Sequence, residues 1–440
     1  MHVDLDDARA VCERAPSIGA PIAGTVADHV AVASFLNAVF QKPSPEEFAS
    51  SVDDPFYDPA DRILLKHGGT ILAHAQLTWR SLHFGKSRWP LCRLNWLGVL
   101  PEYHEQGLAK TVMDEAELQL RQLRPAIVEL GCKQSPTIQR PGWVAVGRYV
   151  FSQAGPRDVI ARLSEEDYPS STSLMPKKAK VTARVWRRFE LPSLMRIYRD
   201  NVGGTHGPLQ RTEAYWRWLL ARRAYDQIYI AVEEKRGSGG KCQERIVGYA
   251  VTRNGQIVEL LTEAGNHEAA RQLLVHACRD AIESDFHVIR LHGPDTSPLH
   301  QVFIDAGGSF HAREPLRGET MLVWLPDIDR HIDRVGPELA ARARAAGIPL
   351  PCKLGVEVGD LKQQLVVRSR KAHLSTGQLG RSYIHCDEGT WIRLLTGHDN
   401  AATAMAEGRL SASTSMAAEL ARVLWPALSV WRPLWDDLSA

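Results

Sequence analysis

Apolar positions in this chain switch between two periods, and the switch marks its elements. In RLNWLGVL (93–100) they are nearly continuous and stop at Pro101, which predicts a strand ending there. In LAKTVMDEAELQLRQLRP (108–125), Leu108, Val112, Ala116, Leu120 and Leu123 recur at helical spacing with charges between them. Pro125 closes that helix, and AIVELGC (126–132) reads as a short buried strand. The unit is strand, turn, helix, strand, and the turn carries a lone glycine, Gly107. Glycine in a first turn weakens a helix by about 0.5–1 kcal/mol relative to alanine. Either the backbone bends there or something comes close to it. The N–H groups at a helix start are unpaired and sit at the positive end of the helix dipole. A glycine would let a diphosphate approach them. The plain alternative is a helix start with an ill-fitting glycine. GxGxxG and GxxxxGK[ST] are both absent, which excludes the two commonest nucleotide loops.

The same pattern returns further on. LPEYHEQGLAKTVM (100–113) aligns without gaps on LTEAGNHEAARQLL (261–274), pairing Leu100 with Leu261, Glu102 with Glu263 and Ala109 with Ala270. The strand–glycine turn–strand before each copy repeats as well, as does the segment after it. This predicts two related domains in tandem. Glu268 falls opposite Gly107, where a carboxylate would repel a diphosphate, so the second copy is expected to keep the fold and lose the cofactor. A slipped alignment, with Gly265 serving the loop, is the alternative.

A Ser- and Pro-rich linker separates the copies. The boundaries read as residues 1–165, linker 166–180, second copy 181–327 and a third unit 328–440. In that third unit DLKQQLVVRS and the stretch near SYIHCDEGTWIRLLTG read as strands followed by a helix start. Two helical patterns follow, split by Gly408, with Leu410, Ser413 or Thr414, Ala417, Leu420, Val423 and Leu424 on one face. HIDRVGPELAARARAAG (331–347) reads as a charged amphipathic helix, either a solvated face or a domain contact.

Composition narrows the classes. A chain of 440 residues exceeds one ordinary core, and 44% hydrophobic with 24% charged residues is a globular composition. A net charge of +2 points to no nucleic acid. The N-terminus is acidic without an apolar core, which argues against a secretory signal. No apolar stretch of about 18 residues is present to span a membrane. Seven cysteines without a CxxC pair argue against a disulfide framework or a zinc site, so no metal is expected and a reducing cytoplasm is.

The segment around Gly107 resembles the acyl-CoA loop of the GCN5-related N-acetyltransferases (GNATs), a strand, a proline, then Arg/Gln-x-x-Gly-x-Gly/Ala opening a long helix. Here it runs His104, Glu105, Gln106, Gly107, Leu108, Ala109, with His104 where Arg or Gln is usual. The resemblance implies that these residues bind the pyrophosphate of acetyl-CoA. It further implies that Leu97 and Val99 hold the pantetheine arm and the acetyl group through their backbone. TWIRLLTG and the following GRL and LWP resemble a sterol carrier protein-like domain. Two tandem GNAT domains followed by a sterol carrier protein-like α+β domain is the arrangement of the enhanced-intracellular-survival (Eis) acetyltransferases. The fold class implied is therefore α+β.

An N-acetyltransferase needs a base for the amine, an N–H for the oxyanion and an acid for the leaving thiolate. The Val99 N–H is the candidate for the oxyanion. The family's tyrosine acid lies in Tyr-x-x-x-Gly-aromatic. Gly142 and Trp143 fit that segment, but Ile138 stands at the tyrosine position, which leaves Tyr149 as a candidate beside an ordinary strand tyrosine. In Eis proteins the C-terminal carboxylate reaches the active site, so Ala440 is a candidate base, with Asp436 and Asp437 beside it. Glu129 is a further candidate base. The function implied is transfer of an acetyl group to a primary amine of a small molecule or a lysine side chain, and the resemblance also admits a homo-oligomer. The competing readings are a non-catalytic CoA- or lipid-binding protein and a scaffold in which the repeat is purely structural.

Overall fold

The computed structural model describes residues 19–133, 140–147, 149–165, 180–236, 242–314 and 319–438. The first part contains β1 (Ile22–Ala23), α1 (His29–Phe40), α2 (Pro45–Val52), β2 (Arg62–His67), β3 (Thr70–Phe84), β4 (Ser87–Val99), α3 (Leu108–Leu123), β5 (Ile127–Lys133), β6 (Val144–Val146), β7 (Tyr149–Ala154) and α4 (Pro156–Glu165). The middle contains β8 (Lys180–Val185), α5 (Leu191–Val202), β9 (His206–Leu209), α6 (Glu213–Ala221), β10 (Gln227–Arg236), β11 (Cys242–Arg253), β12 (Gln256–Thr262), α7 (His267–Glu283), β13 (Ile289–His292), α8 (Leu299–Asp305), β14 (Ser309–Glu314) and β15 (Glu319–Trp324). The last part contains α9 (Ile328–Ala345), β16 (Cys352–Val358), β17 (Leu361–Val367), β18 (Ala372–Thr376), β19 (Tyr383–Cys386), α10 (Glu388–Thr396), α11 (Ala401–Ala406), β20 (Leu410–Ala412) and α12 (Ser415–Leu424).

The repeat read from sequence is a repeat of topology. In the first sheet β2, β3 and β4 form an antiparallel meander, α3 crosses over, and β5 pairs with β4 in parallel. In the second, β10, β11, β12, α7 and β13 repeat those relations strand for strand. The next slot in each sheet is filled by exchange. β7, which lies before the expected boundary at 165, pairs with β13 of the second sheet. β15, close to the other expected boundary at 327, pairs with β5 of the first. The two copies therefore share backbone hydrogen bonds, a closer union than two beads on a linker. Most of that linker lies outside the described residues.

The third unit is a five-stranded sheet in the order β18-β17-β16-β19-β20. α9 buries Ile332, Val335, Leu339 and Ala343 and packs on β18. His331 of this helix lies 3.2 Å from Ala126 O and edge-on to Trp89, so the amphipathic 331–347 segment is a domain contact, and one continuous apolar core runs through Leu82 and Trp89, Leu219 and Tyr249, and Leu339 and Trp391. Leu410 does not share a helix face with Leu420. Thr414 caps α12 by accepting from the Ala417 N–H (3.1 Å), and Leu410 is buried in a strand paired with β19. Beyond α12 the chain returns across the middle unit, with the Trp431 N–H donating to His206 O (3.0 Å). Among the described residues, no helix is long and apolar enough to cross a membrane.

Candidate active site

The site begins where two strands part. β4 and β5 pair in parallel from Leu91↔Ile127 to Leu94↔Leu130, but β4 continues to Val99 while β5 turns its other edge to β15. A bulge interrupts the β3–β4 register at this point, and Trp96 takes a left-handed φ of 54°. His74 braces the bulge, its Nδ1 lying 2.9 Å from Trp96 O and its Nε2 3.0 Å from Arg62 Nη1. Burial, and then the charge of Arg62, push the His74 pKa down to about 3. The ring is therefore neutral. Because Arg62 can only donate, Nε2 accepts, and Nδ1–H donates to the Trp96 carbonyl. The Leu100 N–H donates to Leu72 O of β3 (2.9 Å), so strand alternation turns the Val99 N–H to the opposite edge, toward the gap.

The turn after β4 presents the start of α3. Gly107 is its N-cap, with φ 76°, and no side chain caps the helix. A Cβ built on Gly107 meets nothing within 4 Å. Glycine is required here by backbone conformation and not by crowding from the protein, and the space in front of it is open. Glu105 also adopts a left-handed φ, 67°. His104, Glu105 and Gln106 are exposed, whereas Leu108 is buried and anchors α3 on the sheet with Val112, Met113, Ala116 and Leu120. The His104 ring turns back, its Nε2 3.2 Å from Val99 O. Open space, a glycine cap and uncapped N–H groups suit a diphosphate, so these residues fit acyl-CoA.

The second copy is built differently at the same place. The left-handed glycine before α7 is Gly265, and the cap is Asn266, whose side chain accepts from the Ala269 N–H (3.0 Å). Glu268 lies in the first turn, bonded to Arg271 (3.2 Å) and Gln272 (2.7 Å). Helix start to helix start, Asn266 is therefore the counterpart of Gly107, and the ungapped pairing with Glu268 slips by two residues. Two first-turn donors of this helix, the N–H groups of His267 and Ala269, are met from within the chain, by Gly265 O and the Asn266 side chain.

Opposite α3, on the other face of the first sheet, lies a cleft of about 220 Å³. Gln76, Thr78, Arg80, Arg93 and Asn95 form its floor, and Phe56, Tyr57, Trp96 and Trp218 contribute aromatic walls. Two ion pairs lie in it, Arg80 with Asp54 and Arg93 with Asp437 (2.5 Å), and Lys42, Glu47 and Arg222 line it as well. The C-terminal segment closes one side with Asp436, Asp437 and Leu438. Burial works against the charge of Arg93, but Asp437 and Glu129 more than offset it and hold its pKa above the ordinary arginine value.

The structure brings Glu129 and Tyr149 against two residues that line this cleft, Arg93 and Asp437 respectively. Glu129 is buried, accepts two bonds from Arg432 (2.7 and 2.8 Å) and pairs with Arg93 (3.1 Å). The Tyr149 hydroxyl lies 3.5 Å from Asp437 Oδ2. Ala440 and Ile138 lie outside the described residues. Gly142 takes a φ of 81° and Trp143 is buried, stacked on Trp324. Sequence reasoning missed Arg93, Arg432, Arg211 and Glu259. A signal existed for Glu259, the one charge in the strand QIVELLT.

Residues 23–145 match the family model described as Acetyltransferase (GNAT) domain. No curated protein matches the chain. Among solved structures, a GCN5-related N-acetyltransferase from Anabaena variabilis ATCC 29413 superposes with a TM-score of 0.64 at 13% identity, covering 94% of this chain and 98% of that one. One from Kribbella flavida gives 0.63 at 13%, with the same coverage. Eis1 from Mycobacterium abscessus gives 0.60 at 14%, covering 93% and 98%. The chain thus matches the GNAT acetyltransferase domain over residues 23–145 and shares its α+β fold, over most of its length, with two solved GCN5-related N-acetyltransferases and with Eis1 from Mycobacterium abscessus.

Proposed function

We propose that this protein is an acetyl-CoA-dependent N-acetyltransferase that acylates a primary amine of a small molecule or a lysine side chain by direct attack in a ternary complex. The observation that carries the reading is the adjacency of two openings. β4 leaves β5 beyond Leu94, carries the Trp96 bulge and Val99 past that parting and ends before the Gly107 turn, and Trp96 is also a wall of the cleft on the opposite face. An acyl group held along the gap and an amine held in the cleft would meet at that bulge.

In this reading the N–H groups at the start of α3 bind the pyrophosphate, with Gly107 leaving room for it. Leu97 and Val99 hold the pantetheine arm through their backbone, and the Val99 N–H receives the negative charge that develops on the carbonyl oxygen. The amine must lose a proton, and we assign that proton to the C-terminal carboxylate of Ala440, two residues beyond Leu438 at the cleft wall. Tyr149 is assigned as donor to the departing thiolate. With Arg93 and Arg432 donating to its oxygens, Glu129 is assigned to anchoring the C-terminal segment. The third unit we read as sterol carrier protein-like, placed to deliver that segment.

The test is incubation with acetyl-CoA and a panel of polyamines, aminoglycosides, amino acids and lysine peptides, with detection of free thiol. Acceptor-stimulated thiol release, lost in Gly107→Glu, is expected. Tight acetyl-CoA binding with no acceptor-stimulated release across the panel would overturn catalysis and leave a CoA-binding protein.

A further inference from the structure

The second sheet has a counterpart of the acceptor cleft, and it is full. β12 and β13 pair in parallel only through Ile257↔Leu291, while β12 runs on to Thr262, the same parting seen between β4 and β5. Two residues past the last pair stands Glu259, wholly buried. The face involved is the one opposite α7, where α5 covers β11 and β12 as α1 covers β3 and β4 in the first copy. Into this face projects the C-terminal segment. Trp435 is fully buried, edge-on to Trp216 at 5.7 Å and to Tyr225 at 6.0 Å, and its carbonyl accepts from Arg222.

Arg211 is the clamp. Its guanidinium donates to both oxygens of Glu259 (3.0 and 2.5 Å) and both of Asp436 (3.0 and 3.0 Å). All three side chains are fully buried. The guanidinium also lies over the rings of Tyr198 (4.1 Å), Trp216 (4.8 Å) and Trp435 (5.3 Å). Tyr215 donates to Asp436 (3.3 Å), and Tyr249 to Glu259. A buried guanidinium needs its charge met and its donors filled, and these two carboxylates meet the charge and accept from four of the five N–H groups. One residue further on, Asp437 is already on Arg93 in the floor of the first cleft. Adjacent residues of one short segment therefore tie into the two copies: Asp436, which also lines the first cleft, is held by Arg211 of the second, and Asp437 by Arg93 of the first.

We propose that the second copy's cleft is a socket for the chain's own C-terminal segment, and that Arg211 and Glu259 are positioning residues that set Asp437 and Leu438 into the first copy's acceptor cleft. The socket stands on geometry alone, whereas the consequence for turnover rests on the acetyltransferase reading. It gives the second copy a use without a cofactor: a cleft shaped to hold a substrate holds a peptide instead. It also explains a charge inside the apolar strand QIVELLT, since Glu259 is there to orient Arg211 toward the tail.

The experiment uses the full-length chain and two variants, Arg211→Lys and Asp436→Asn. Lysine keeps the charge but cannot bridge two carboxylates as a fork. Asparagine leaves the Arg211–Glu259 pair neutral, so the variant is expected to fold even where Arg211→Lys does not. Hydrogen exchange followed by mass spectrometry reads protection of residues 430–438, and steady-state kinetics read kcat and the KM for acetyl-CoA. Each folded variant should exchange tail amides about tenfold faster or more, the scale of lost charge-assisted bonds. Exchange in β10 to β12 should stay unchanged. Its kcat should fall about tenfold or more, with the KM for acetyl-CoA within about twofold. A general loss of stability would instead raise exchange everywhere. Tail protection kept in Asp436→Asn overturns the socket, and a freed tail with unchanged kcat overturns the positioning role. If the wild-type chain turns over no amine, the function proposed above has failed, and the exchange data still decide the socket.

Discussion

Replacing Gly107 separates backbone strain from electrostatics, because the structure assigns each a magnitude. At φ 76° an alanine costs about 1–2 kcal/mol in backbone strain, and its Cβ meets no protein atom within 4 Å. Gly107→Ala should therefore lower stability by that amount and weaken acyl-CoA binding only as far as the methyl group crowds the ligand. Gly107→Glu carries the same strain plus a charge at an uncapped helix start. A carboxylate about 6 Å from a doubly charged diphosphate is repelled by roughly 1.4 kcal/mol at the dielectric of water and about 5.5 kcal/mol at an effective dielectric of 20. An intermediate value near 3 kcal/mol is about a hundredfold in affinity. Calorimetric titration with acetyl-CoA measures both variants. Gly107→Glu should bind about a hundredfold more weakly than Gly107→Ala, with the gap narrowing as salt screens the exposed charge. Equal affinity in the two variants, or a gap indifferent to salt, would refute the assignment of the diphosphate to this helix start.

Three further outcomes are expected. Titration should give one acetyl-CoA per chain, since Asn266 caps α7 and Glu268 occupies its first turn; two equivalent sites would contradict this. Deleting Leu438 to Ala440 should lower turnover by about a hundredfold, the scale of a lost general base, and leave acetyl-CoA affinity within about twofold; a truncated chain with full turnover would remove the carboxylate from the mechanism. Burial pushes the pKa of His74 and His292 down to about 3 and that of His331 to about 4, below the ~6.5 of an unfolded histidine. The stability these neutral rings contribute is complete above pH ~6.5 and is lost as pH falls toward those values, by up to about 1.4 kcal/mol per ring per pH unit. Urea unfolding at about pH 7 and about pH 5.5 checks this, and equal stabilities would refute it.

Much of this protein is local and therefore legible in its sequence. The period of Leu108, Val112, Ala116 and Leu120 sets the buried face of α3, and Pro125 and Pro101 mark where elements stop, because those effects act within one turn or one strand. The repeat was legible for the same reason, as the two copies bury the same pattern in the same order. Gly107 pointed to its turn because only a left-handed position with open space in front of it makes glycine the natural choice. What sequence spacing could not supply was every relation set by packing between distant segments. The exchange of β7 and β15 leaves no local trace, since a strand satisfies its backbone equally well against either sheet. The helix-start register of the second copy turned on Asn266 capping α7, which moved the equivalence two residues from the ungapped pairing. The site itself is the extreme case. Arg93, Glu129, Arg432 and Asp437 span most of the chain, as do Arg211, Glu259 and Asp436, and a buried charge is tolerable only where its partners arrive from elsewhere in the fold. The sequence holds those charges as isolated letters, and tertiary structure alone decides which of them meet.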